Sequence, residues 1–206
     1  MHFPPRIKSS LFLAVALSCF SSLSFAAESA GISMDETVVV GKQQLHLNGL
    51  GVRYKLVFKV YVAGLYLTGK KTSMADVLAA AGPKRVSIVM LRDVSNDEFG
   101  RGFMTGIRQN SNRAELMKIT GPLLKFGELF ASVPELKKGD VLATDWLPGI
   151  GTQMQLNGKN IGDIIPDENF YHSLLKIWLG ENPLDKALKG LLLGAVAPDS
   201  TRPNSR

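Results

Sequence analysis

Between Val52 and Leu67 the chain changes character at every second residue. The even positions are Val52, Tyr54, Leu56, Phe58, Val60 and Val62, and the odd ones are Arg53, Lys55, Val57, Lys59, Tyr61 and Ala63. A period of two is the signature of an extended strand in a sheet, with one apolar and one polar face. This spacing places Arg53 and Tyr61 on the same face. A sheet with such a segment needs partners on both sides and a cover on its apolar face, which restricts the fold to layered β or α+β architectures.

The flanking sequence supplies both. Thr37–Val40 and Gln43–Leu47 read as short strands, and Asn48-Gly49 reads as a turn. Met74–Ala81 reads as a helix capped by Ser73 and stopped at Gly82-Pro83. Arg85–Leu91 is the next strand. Ser95-Asn96-Asp97-Glu98 is a capping box opening a helix from Asn96 to Gln109. Arg113–Phe130 predicts a second helix, kinked near Gly121-Pro122. Asp140–Trp146, Gly151–Leu156 and Lys159–Ile164 predict a meander turning at Pro148-Gly149 and Asn157-Gly158. Asp167 caps a helix that ends at Gly180, and Leu184–Leu193 is a last short helix. Strands, helices, strands and helices in this order predict one α+β domain over residues 35–194, with helices on one face of an antiparallel sheet. The polar tail, residues 198–206, predicts disorder.

The start of the chain has a different character. His2, Arg6 and Lys8 precede an apolar run, Leu11–Leu17, and a Ser-rich stretch that ends in Ser24-Phe25-Ala26-Ala27. A basic segment, a short apolar segment and small residues form a cleavable signal, so residues 1–26 predict export with cleavage near Ala26. The run is too short to span a bilayer, which takes about 20 apolar residues. The alternative is a lipoprotein signal acylated at Cys19, although Ala16-Leu17-Ser18 before it fit that pattern poorly. The expected location is the periplasm or the exterior.

Export would remove Arg6 and Lys8, taking the formal charge from +6 to +4, and would also remove Cys19, the single cysteine. A mature chain of this kind forms no disulfide and carries no basic run for nucleic acid. No further segment approaches transmembrane length. Only His46 and His172 remain as histidines, with no metal-binding spacing, no nucleophile elbow and no phosphate-binding loop. No metal or cofactor is expected. The acids Asp97-Glu98 and Asp167-Glu168 sit in first helical turns, where they oppose the helix dipole. Tyr171, Leu174, Leu175 and Trp178 share a helical spacing and read as core.

Three segments carry a resemblance. They are NGLGVRYKLVFKVYVAGLYL (48–67), LRDVSNDEFGRGFMTGIRQN (91–110) and LLKIWLGENPLDKALKGLLLG (174–194). In order and spacing the chain resembles the chalcone isomerase-like family across about residues 35–194. The resemblance implies an open-faced β-sandwich: a large antiparallel sheet covered by helices, with a small antiparallel sheet beside it. Plant enzymes of the family cyclise a chalcone with an Arg, a strand Thr, a helix Tyr and Asn, and a C-terminal Thr or Ser. Carried over one at a time, the Arg falls on Arg53, the strand Thr on Tyr61, the helix Tyr on Phe99, the Asn on Gly106 and the C-terminal Thr on Ile177. Only the Arg survives. Losing one preorganised polar group costs about 100- to 1,000-fold in rate, so little chalcone cyclisation is expected.

The family also contains fatty-acid binders in which an Arg and a Tyr hold the carboxylate. The resemblance therefore implies a ligand site of Arg53, Tyr61, Phe99 and Ile177 for a small apolar carboxylate, with Phe99 and Ile177 lining the pocket. An Arg fork matches a carboxylate and a phenol adds a donor. The competing reading of Arg53 is a surface ion pair on a polar sheet face, which Lys55 and Lys59 favour. Two other functions remain open: an isomerase or lyase with a repurposed site, and an envelope partner protein with a filled core. A cavity beside Arg53 counts against the last.

Overall fold

A computed structural model describes residues 26–133 and 135–196. The expected signal (1–25 of it), Cys19 and the tail from residue 197 lie outside the described residues. Among the described residues nine strands and six helices follow one another: β1 (Ala26–Ser29), β2 (Ile32–Asp35), β3 (Thr37–Val40), β4 (Gln43–Lys55), β5 (Phe58–Leu67), α1 (Met74–Ala79), β6 (Lys84–Met90), α2 (Asn96–Gln109), α3 (Arg113–Lys118), α4 (Thr120–Ser132), β7 (Val141–Leu147), β8 (Gly151–Leu156), β9 (Lys159–Ile165), α5 (Glu168–Leu179) and α6 (Lys186–Leu192). Strands β3 to β9 form one seven-stranded antiparallel sheet in sequence order, and β1–β2 form a separate antiparallel pair. This is the expected α+β architecture. The β1–β2 pair adds strands ahead of residue 35.

The alternating segment proves to be two strands. The chain turns at Leu56-Val57, and β4 and β5 pair antiparallel so that Val52 faces Val62 and Arg53 faces Tyr61. The face read as polar is the one the helices cover. Tyr61, Ala63, Leu65 and Leu67 join Phe99, Phe103, Ile107, Phe126, Leu174 and Trp178 in the main core. The even face is covered too, because Met34 of β2 packs with Val52 and Val62. A strand buried on both faces loses the contrast that alternation reports.

Asn48-Gly49 is not a turn. It lies inside β4 at a register shift between Leu47 and Gly49. Asn48 is 2% exposed. Its Nδ2 donates to the carbonyls of Lys71 and Leu192, both at 2.8 Å, and its Oδ1 accepts from the Lys71 backbone N–H at 2.7 Å. At Gly49 an added Cβ would lie 2.0 Å from the Leu191 carbonyl oxygen, so α6 rests directly on the strand backbone. The pair therefore seats the C-terminal helix.

The helices keep most of their expected caps. Ser73, Ser95 and Asp167 accept from the backbone at the starts of α1, α2 and α5. The predicted kink at Gly121-Pro122 appears earlier, as a break at Ile119 between α3 and α4. Pro122 then falls in the first turn of α4, where a missing N–H costs nothing.

Candidate functional site: a cleft between the β4–β5 hairpin and helix α2

A cleft of about 600 Å³ opens between the β4–β5 hairpin and α2. Arg53, Lys55, Val60 and Tyr61 line it from the sheet, Ser95, Glu98, Phe99, Arg101, Gly102, Phe103 and Thr105 from α2 and its cap, and Val94 and Leu184 from flanking loops. Three bases against one acid make the lining electropositive. The volume lies within the range of about 300–1,000 Å³ of ligand-binding clefts.

Arg53 and Tyr61 meet here because the hairpin pairs them across the two strands. The Arg53 guanidinium carbon stands 5.5 Å from the centroid of the Tyr61 ring, a cation–π distance. The Nε of Arg53 is out of solvent without a hydrogen-bond partner among the described residues. No salt bridge among the described residues includes Arg53. The surface ion pair that Lys55 and Lys59 favoured has not formed. Lys55 instead binds Glu98 at 3.0 Å, and Arg92 binds the same carboxylate oxygen at 2.8 Å.

The Tyr61 phenol is held from below. Its oxygen accepts from the indole N–H of Trp178 at 2.8 Å. Among the described residues its own proton has no acceptor. Burial pushes its pKa up to about 12, against the opposing pull of Arg53 and of the Trp178 bond. The group is therefore neutral at neutral pH and remains a donor. Phe99 stands edge-on to the Tyr61 ring at 6.5 Å and tilts against Phe103 at 4.9 Å, so the wall facing the pair is aromatic.

Of the four residues expected to hold a ligand, the structure brings three to the cleft: Arg53, Tyr61 and Phe99. Ile177 does not line it. It is fully buried in the core, against Gly106 of α2. The separation has a physical cause. Gly106 lets α5 approach α2 so closely that the residue opposite is sealed from the cleft.

Three contributors escaped the sequence reading. Trp178 read as core, and nothing in a helical spacing signals a bond to a residue 117 positions away. Glu98 read as the return half of a capping box. Ser95 does accept from the Glu98 N–H at 3.2 Å, but the Glu98 carboxylate turns to Lys55 and Arg92. Those two hydrogen bonds hold its pKa below the usual glutamate range. Gly102 carried no signal either. It lines the cleft with open space beside it. Among the described residues no three His, Cys, Asp or Glu side chains group to hold a metal ion.

The family model described as chalcone isomerase-like matches residues 26–194. The chain belongs to the chalcone isomerase-like family. Among solved structures it is similar to the crystal structure of an Arabidopsis thaliana fatty-acid binding protein, with a TM-score of 0.62 and 17% sequence identity, covering 79% of this chain and 92% of that one. At that identity the likeness establishes the fold, which is the chalcone isomerase-like arrangement of a seven-stranded sheet, covering helices and a small second sheet. A search of curated proteins gives no significant match.

Proposed function

We propose that this member of the chalcone isomerase-like family is an exported, non-catalytic binder of a small apolar carboxylate, with a fatty acid as the class that fits. The observation that carries the reading is the unpaired Arg53 guanidinium set against the Tyr61 phenol in an electropositive cleft. A ligand carboxylate supplies what both lack: an anion for the guanidinium and an acceptor for the phenol proton. Phe99, Phe103, Val60 and Leu184 offer the alkyl chain an apolar wall. Each buried methylene contributes about 0.8 kcal/mol before ordering costs. The fatty-acid binding protein with this fold supports the same class of ligand.

Proton-transfer chemistry finds less support in the same cleft. Glu98, the acid of the lining, has its carboxylate engaged by Lys55 at 3.0 Å and Arg92 at 2.8 Å. Tyr61, with its raised pKa, keeps its proton. Residues 1–26 act as the signal in this reading, on the strength of their basic, apolar and small-residue segments. The location is the periplasm or the exterior.

Native mass spectrometry of the purified protein, followed by extraction and identification of any bound lipid, tests the binding claim. A fatty-acid adduct is expected. No adduct, together with an unchanged melting temperature in added fatty acid, counts against it. Chalcone cyclisation clearly above the buffer rate contradicts the non-catalytic part.

A further inference from the structure

The tip of the β4–β5 hairpin is apolar and open to solvent. Leu56 is 90% exposed, Val57 82%, Phe58 63% and Tyr54 45%. Turn tips are ordinarily polar, and the first central residue of a two-residue hairpin turn with positive φ is ordinarily glycine. Here it is Leu56, with φ +56°. The fold tolerates a strained, unbranched-at-Cβ but bulky residue where glycine would relax it, and strain of this kind accumulates at functional positions. The hairpin's own charges have one sign, while the acids beside it are engaged: Glu98 pairs with Lys55 at 3.0 Å and Asp185 accepts from the Tyr54 backbone N–H at 3.0 Å. From Leu50 to Leu67 the hairpin carries Arg53, Lys55 and Lys59 and no acid. Lys59 forms no salt bridge among the described residues, and Arg53 and Lys55 line the cleft just behind the tip.

We propose that the hairpin tip docks on the surface of an anionic lipid bilayer, with Leu56, Val57 and Phe58 entering the interface and Lys59 meeting the headgroups. Apolar residues flanked by lysines are the composition that binds at a membrane interface. No helix among the described residues is long and apolar enough to cross a membrane, so the contact is with the surface. A second copy of the chain is the less suitable occupant, because tip-to-tip contact brings like charges together. Docking sets the mouth of the cleft against the bilayer. Delivery of an amphiphile between bilayer and cleft rests on the proposed carboxylate site, whereas docking itself does not.

The test is co-sedimentation of the purified protein, its N-terminus read by mass spectrometry, with vesicles of phosphatidylglycerol or of phosphatidylcholine. The triple variant Leu56→Gly, Val57→Ser, Phe58→Thr relaxes the turn and removes the apolar tip. Wild type is expected to bind phosphatidylglycerol, and the variant at least about tenfold more weakly at a melting temperature no lower than that of wild type. In a second variant, Val57→Trp, the added indole emission should shift to the blue on those vesicles. Absence of wild-type binding, equal binding by the triple variant, equal binding to both lipids, or tip-dependent self-association without vesicle binding each overturns the proposal. Palmitate binding by the triple variant in vesicle-free buffer reads the carboxylate site separately, so failure of one reading is distinguishable from failure of the other.

Discussion

Ile177 on α5 fills the space beside Gly106 on α2: a Cβ added at position 106 would lie 2.8 Å from the Ile177 Cγ2. Position 106 has no side chain and Ile177 occupies the space beside it, so the two helices meet in a close apolar contact. Gly106→Ala is expected to destabilise the protein by roughly 1–3 kcal/mol through overpacking, although alanine favours helix. Ile177→Ala removes the two Cγ atoms that the new Cβ meets, so it should cost less in the Gly106→Ala background than alone. Urea denaturation of the two single variants and the double gives the coupling, and strict additivity would mean that the contact is not shared.

Gly102 stands one turn earlier on α2, with the opposite surroundings. It lines the cleft, and a Cβ there meets nothing within 4 Å. Gly102→Leu should raise stability by about 0.5–1 kcal/mol, because leucine is the better helix former. The same side chain should occupy cleft volume and weaken ligand binding. A melt combined with a palmitate titration separates the effects. Stability and affinity are expected to move in opposite directions.

The buried tyrosines give an alkaline limit. Burial pushes both Tyr61 and Tyr66 up to about 12. An unfolded tyrosine ionises near pH 10. Between about pH 10 and 12 the unfolded chain loses protons that the folded chain keeps, so stability is full below pH 10 and falls above it. Each such group contributes a slope of about 1.4 kcal/mol per pH unit. Tyr61→Phe should flatten the decline by that amount. It should also cost roughly 1–3 kcal/mol at neutral pH, because the Trp178 N–H loses its acceptor. Denaturation midpoints measured from pH 8 to 11 for both proteins check each part.

Asn48 predicts a stability effect remote from the cleft. Its three hydrogen bonds join β4 to the segment at Lys71 and to the end of α6. Asn48→Ala should cost roughly 2–4 kcal/mol and expose α6 first. Hydrogen exchange over residues 186–192 should rise before exchange in the central strands. Uniform loosening would contradict the seating role.

The sequence revealed the layer order because caps, glycine stops and the β7–β9 turns are local signals, and Ser73, Ser95, Asp167 and Asn157-Gly158 all fall where they were expected. It concealed the Leu56-Val57 turn, because two apolar residues in a tip look like strand. It misread Asn48-Gly49 because a buried bulge and a surface turn use the same residues. Arg53 and Tyr61 were paired correctly, through strand pairing instead of spacing along one strand. Ile177 was misplaced because burial against a glycine on another helix leaves no trace in local pattern.

The most direct measurement is calorimetric titration of palmitate into the wild-type protein and into Arg53→Gln. Saturable binding at a single site is expected in the wild type, weakened by about 30-fold or more in the variant, since removing one member of a buried charge pair costs at least about 2 kcal/mol. Equal affinity in the two proteins, or no saturable binding in either, would contradict it.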